Sequence, residues 1–131
     1  MDTYKFVRLN FPGGDMVGHT ADMEATIVAM EAIDLSLARI AAKVDELGGV
    51  LIVVADHGNA EELLDRNGMK KTSHTTNKVP CVIYDNTVNK VKYQLAPITE
   101  PGLANIAATI AVFLGQNDYP ESWAKSLVVV K

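Results

Sequence analysis

The sequence predicts an α/β fold in which a mostly parallel sheet is flanked by helices. Three observations carry this. Apolar residues recur at steps of three and four from Asp22 to Leu47, Gly48-Gly49 ends that pattern, and the run that follows, Val50 to Ala55, is apolar at every position. A long amphipathic helix feeding a short, wholly apolar strand is how half of a βαβ unit reads, with the strand covered on both faces.

Taken in order, Tyr4 to Phe11 favours β-formers and stops at Pro12-Gly13-Gly14, which predicts a strand and then a tight loop holding Asp15 to Thr20. The helix from Asp22 places Met23, Ile27, Met30, Ile33, Leu37, Ile40, Val44 and Leu47 on one face, the spacing of core-packing residues. Val50 to Ala55 is the central parallel strand, and Asp56 to Asn59 falls at its carboxyl end, where open α/β sheets gather ligands. A short helix is expected at Ala60 to Arg66, a polar loop at Gly68 to Asn77, a strand at Val79 to Tyr84 and an edge strand at Val91 to Leu95. Leu103 to Leu114 reads as a second apolar helix ended by Gly115, and Ser126 to Val130 as a last strand. No repeat, low-complexity segment or interdomain linker interrupts the chain, so one core is expected.

Composition narrows the function. At 131 residues, 48% hydrophobic and 21% charged, the chain has the make-up of a globular domain rather than a disordered tail. A lone cysteine, Cys81, supports neither an internal disulfide nor a Cys-rich zinc site, so the cytosol is the expected compartment. No apolar run approaches the roughly 20 residues of a membrane helix, and the N-terminus lacks the apolar stretch of an export signal. A net charge of −4 without a basic, aromatic-interleaved cluster argues against nucleic acid. The charge is uneven: residues 1–66 carry five basic and twelve acidic side chains, residues 67–131 seven and four. That asymmetry fits either a solvated acidic helix face or carboxylates gathered around a cation.

The histidines bear on that choice. All three lie in expected loops beside a hydroxyl or carboxylate residue: Asp15-Met-Val-Gly-His19-Thr20, Asp56-His57-Gly58-Asn59 and Ser73-His74-Thr75. Asp15 and His19, four apart, can point the same way across one turn, and Asp56 and His57 offer adjacent donors at a strand end. Carboxylate oxygen with imidazole nitrogen suits Mn²⁺, Zn²⁺ or Fe²⁺ better than Ca²⁺. Five such donors exceed what one tetrahedral ion needs, and paired metals about 4 Å apart are a standard device of phosphoryl transfer. The competing reading is that these Asp and His residues only cap helices and close turns.

The stretches Asn10 to Thr20 (NFPGGDMVGHT), Ala55 to Glu61 (ADHGNAE) and Thr72 to Pro80 (TSHTTNKVP) closely resemble the metal-binding motifs of cofactor-independent (2,3-bisphosphoglycerate-independent) phosphoglycerate mutases, members of the alkaline phosphatase superfamily. The resemblance spans essentially the whole chain, including Gly102 to Thr109, but only the C-terminal part of that family. It implies an alkaline-phosphatase-like fold: a partial doubly wound, mostly parallel sheet with flanking helices. It implies that Asp15, His19 and His74 bind one Mn²⁺ and that Asp56 and His57 bind another, with Zn²⁺, Co²⁺ or Fe²⁺ as substitutes. The family interconverts 3-phosphoglycerate and 2-phosphoglycerate through a phosphoserine. Its nucleophilic serine, a further metal-binding aspartate and its transferase domain have no counterpart in these residues, so no catalytic residue is assigned, neither Ser36 nor Ser73. The isolated chain is accordingly expected to be inactive.

Where the family commonly has Gly after Gly-His-Thr, this sequence has Ala21, which strains the turn if that position needs positive φ. Two other readings stay open. The chain could be a non-catalytic binding module or half of a split enzyme, self-associating or pairing with an N-terminal partner through an uncovered sheet edge. It could also be a related metal-dependent phosphatase or sulfatase.

Overall fold

The computed structural model describes residues 4–131. They group into two compact units rather than the single core expected: one comprises Leu9–Asp85, the other the segment ending at Arg8 together with Asn86–Lys131.

The first unit opens with a short helix, α1 (Gly13–Gly18), where a loop was expected. Pro12, with φ −78°, is preset for a helix start, and its carbonyl accepts the Met16 N–H at 2.8 Å to close the first turn. Gly14, which with Gly13 read as a breaker, fits because a side chain would crowd α2: a Cβ there would lie 3.1 Å from the Met30 sulfur. Helix α2 (Met23–Glu46) follows the predicted periodicity, with Asp22 as its N-cap accepting the Ala25 N–H at 3.0 Å. It ends where Gly48 takes φ +63°.

Between the two helices Ala21 adopts φ +46° while nearly buried, so the strain anticipated for alanine at this turn is present. Ala21→Gly should therefore raise stability by about 1 kcal/mol, read as a rise of several degrees in Tm. A lower Tm would show that burying the Ala21 methyl outweighs the backbone cost.

The apolar face of α2 is only partly a core face: Ile33, Leu37, Ile40 and Val44 are half-buried. Met23 (53% exposed), Ile27, Met30 and Leu47 are open to solvent, and Thr26 is its only buried residue. Amphipathic spacing selects a face but cannot supply the surface that covers it.

Strand β1 (Val50–Val54) pairs with β2 (Cys81–Asp85), Val50 opposite Asp85 and Ile52 opposite Ile83. The pairing is antiparallel, whereas a central parallel strand was expected: an all-apolar run reports burial on both faces and is silent on the direction of its neighbour. Tyr84 donates to Asp45 at 2.7 Å, tying β2 to α2 and raising the phenol above its ordinary value.

Ala60–Arg66 is not the expected helix. Asp65 Oδ1 accepts the N–H groups of Asn67 and Met69 at 2.8 and 2.9 Å, and Gly68 turns the chain at φ +76°. This side-chain cap competes with helix propagation and closes a bridge between Leu64 and Lys70. Nor is Tyr4–Phe11 a strand: it has no ladder partner among the described residues, and β-formers without a partner edge make no sheet.

In the second unit, β3 (Tyr93–Leu95) pairs antiparallel with β4 (Val128–Val130), after a 3₁₀ turn over Val88–Lys92 occupies the start of the expected edge strand. Helix α3 (Asn105–Phe113) lies within the predicted Leu103–Leu114 and ends before Gly115 at φ +79°. Its packing is polar as well as apolar. Thr109, fully buried, donates to the Asn105 carbonyl and accepts the Leu127 N–H at 2.8 Å, while Asn105 bonds Gly102 N–H and the Lys125 carbonyl. Thr109→Val keeps the volume but leaves Leu127 N–H without its acceptor, and should cost about 1–3 kcal/mol in chemical denaturation. An unchanged midpoint would mean that water replaces the hydroxyl.

Candidate metal centre

The site lies in the first unit and draws on three segments. Asp15 sits in α1, and the His19 N–H donates to the Asp15 carbonyl at 3.0 Å, so one helical turn stacks the two side chains, with His19 Nε2 3.3 Å from Asp15 Oδ1. Asp56 and His57 leave the end of β1. His74 arrives on the polar loop, which an isolated bridge pins to the β1 end, Thr75 N–H donating to the Gly58 carbonyl at 2.9 Å. Flanking that bridge, His57 and His74 stack their rings with centroids 3.7 Å apart.

Four of the five predicted residues converge. Asp15 Oδ1 lies 3.3 Å from His19 Nε2 and 3.1 Å from His74 Nε2, and those two nitrogens are 3.1 Å apart. His57 Nδ1 stands further off, 4.0 Å from the same oxygen. One donor atom each from Asp15, His57 and His74 also falls within 4.8 Å, but the Asp15–His19–His74 triangle is tighter. Asp56 does not join them. Its side chain is 89% exposed and meets His57 Nε2 at 3.7 Å, so it reaches the cluster only through His57.

The donor chemistry fits a divalent cation. Atoms about 2.1 Å from a tetrahedral ion stand about 3.4 Å apart, close to the three edges of the triangle. His19 Nδ1 lies 2.5 Å from the Thr72 carbonyl, which can only accept, so Nδ1 is the donor and Nε2, facing Asp15 and His74, is the nitrogen left to offer a lone pair to a metal. The amide donated by Asn59 holds the Asp15 carboxyl below its ordinary range; burial opposes this, and the charges of His19, His74 and His57 add to it. An ionised carboxylate with imidazole nitrogens converging on it is a cation's environment.

Sequence reasoning assigned no role to the residues that build this frame. Asn59, nearly buried, donates to Asp15 Oδ1 at 2.8 Å. Glu61 accepts from the Asn59 N–H at 2.6 Å, from Asn77 Nδ2 at 3.0 Å and from the Thr75 hydroxyl, welding the His57 and His74 segments together. Burial pushes Glu61 up, but these hydrogen bonds outweigh it and hold the carboxyl low. Glu62 is lowered by Lys71, 2.7 Å away, and by Asn77. The available signal was the polar density of 55–61 and 72–80 beyond the donors themselves. Ser36, by contrast, spends its hydroxyl on the Ala32 carbonyl within α2.

An α/β fold carrying this carboxylate and imidazole cluster defines a protein of the metal-dependent class. The chain belongs to the metalloenzyme superfamily, whose family profile matches residues 1–118. Within it, the chain is similar to proteins named 2,3-bisphosphoglycerate-independent phosphoglycerate mutase. One from a Synechococcus strain is 41% identical over 95% of this chain, and one from Trypanosoma brucei 37% identical over 97%. A crystal structure of Leishmania mexicana phosphoglycerate mutase, obtained at low cobalt concentration, superposes on 98% of the chain with a TM-score of 0.86 at 40% identity. The chain spans about a quarter of the length of these relatives: 24% of the Synechococcus protein and 25% of the Leishmania structure. Among the described residues no helix is long and apolar enough to cross a membrane.

Proposed function

We propose that this chain is the C-terminal, metal-binding part of the phosphatase domain of a cofactor-independent phosphoglycerate mutase. The intact protein interconverts 3-phosphoglycerate and 2-phosphoglycerate in the cytoplasm through a phosphoserine, with the serine nucleophile supplied from outside these 131 residues. The observation that carries this is the Asp15–His19–His74 triangle in a chain about 40% identical to such mutases. Asp15, His19 and His74 hold one Mn²⁺, and Asp56 with His57 contributes to a second. Bound there, the metals would neutralise charge on the transferring phosphoryl group and activate its attacking oxygen. The chain's own residues orient the donors: Thr72 fixes the His19 tautomer, Asn59 holds Asp15, and Glu61 locks the loops that bear His57 and His74. Exposed Asp56 suits a half-built second site that other segments complete. The same segments would extend the sheet from β1 into the doubly wound, mostly parallel arrangement of the alkaline phosphatase superfamily, and cover the apolar face of α2.

Calorimetric titration of the chain should find about one strong Mn²⁺ site, and two equally strong sites would contradict the half-built second one. Alone, the chain should not convert 3-phosphoglycerate. Mixed with a relative mutase lacking the matching quarter of its length, it should restore turnover; a folded, metal-loaded chain that never does so would sink the mutase assignment.

A further inference from the structure

We propose that Asn59 is a positioning residue of the metal centre, its side-chain amide setting the direction in which Asp15 presents its carboxylate. This rests on the metal-centre reading above. Asn59 is only 4% exposed, and its Nδ2 donates both to Asp15 Oδ1, at 2.8 Å, and to the Asp15 carbonyl, at 3.4 Å. The amide cannot be reversed, because its oxygen would then face the carboxylate. In the orientation that serves Asp15, Asn59 Oδ1 is buried with no hydrogen-bond partner among the described residues. A buried orphan acceptor works against folding, so the fold sacrifices one end of this amide to keep the other at Asp15.

Asn59 is fixed at its backbone and closely approached at its amide. Its backbone N–H is gripped by Glu61 Oε2 at 2.6 Å. On the far side Gly18 lies so close that a Cβ there would stand 2.5 Å from Asn59 Oδ1. Asn59 is thus wedged between the last residue of α1 and the carboxylate one turn earlier, and acts on the metal through Asp15.

The test uses the 131-residue chain, with Mn²⁺ affinity by calorimetry and the visible absorption of the Co²⁺ form as a report on coordination geometry. Asn59→Leu is close in volume and removes both the donor and the orphan acceptor. It should raise the Kd for Mn²⁺ by about ten- to hundredfold and alter the Co²⁺ spectrum, while the metal-free Tm stays at or above that of the parent chain. A merely structural role predicts the reverse, a lowered metal-free Tm with affinity and spectrum unchanged. Gly18→Ala displaces the amide from its other side and should weaken Mn²⁺ binding in the same direction, and it decides the matter if Asn59→Leu does not fold. Parental affinity and spectrum in the folded variants would overturn the role of Asn59 while leaving the metal centre intact. Failure of the parent chain itself to bind Mn²⁺ would overturn the metal centre, and the role of Asn59 with it.

Discussion

Replacing Asp15 by alanine is expected to weaken Mn²⁺ or Zn²⁺ binding by more than about 100-fold, beyond the range typical of changes one shell further out. Asp15 Oδ1 is the atom on which the site converges, with three imidazole nitrogens within 4.0 Å and the Asn59 amide at 2.8 Å. Without it the histidines keep their lone pairs but lose the negative charge that offsets a divalent cation. Asp56→Ala is the informative contrast: its side chain faces solvent and reaches the cluster only through His57, so the strong site should change by less than tenfold. Calorimetric titration of both variants reads the difference. Equal losses would mean that the cation sits between Asp56 and His57 instead of in the Asp15 triangle.

Gly58→Ala should be the most damaging small substitution in the chain. Gly58 is buried at the bridge that joins the end of β1 to the His74 loop, and a Cβ there would collide with the Thr75 hydroxyl and the Glu61 carboxylate. Those two groups are hydrogen-bonded to each other, so neither can yield without breaking the bond that welds the loops. Overpacking of this kind costs about 1–3 kcal/mol, and loss of the Glu61 contacts places the change toward the upper end. Thermal melting should drop by many degrees, and Mn²⁺ affinity should fall with it because His57 and His74 flank the bridge. A variant that melts and binds like the parent would show that the loops are positioned by something other than the Gly58–Thr75 pair.

Much of the site was legible because its donors are chemically rare and sit in three compact stretches. The three histidines of the chain all enter the cluster, and the i, i+4 spacing of Asp15 and His19 survives although the segment is a helix instead of a loop. Asn59 and Glu61 were not legible as parts of it. Neither is an unusual residue type, and their importance comes from what lies across from them: Asp15 is 44 positions from Asn59, and Thr75 is 14 from Glu61. Asp56 stands apart from the Asp15 cluster: it meets His57 Nε2 at 3.7 Å while facing solvent, a direction that adjacency in sequence does not reveal.

The sequence by itself determined the local elements whose causes are local. Helix α2 follows from its apolar periodicity, its Asp22 cap and its glycine stop, and β1 from five consecutive apolar, mostly β-branched residues. Donor identity, and with it the preference for a divalent cation, is likewise a matter of residue type. Tertiary structure alone decided the direction of β2 against β1, the partial exposure of the α2 apolar face and the choice of which histidines meet Asp15. Each of these depends on contacts between groups far apart in the chain. Hydrogen-bond partners and covering surfaces are properties of neighbours in space, and no periodicity within a segment encodes them.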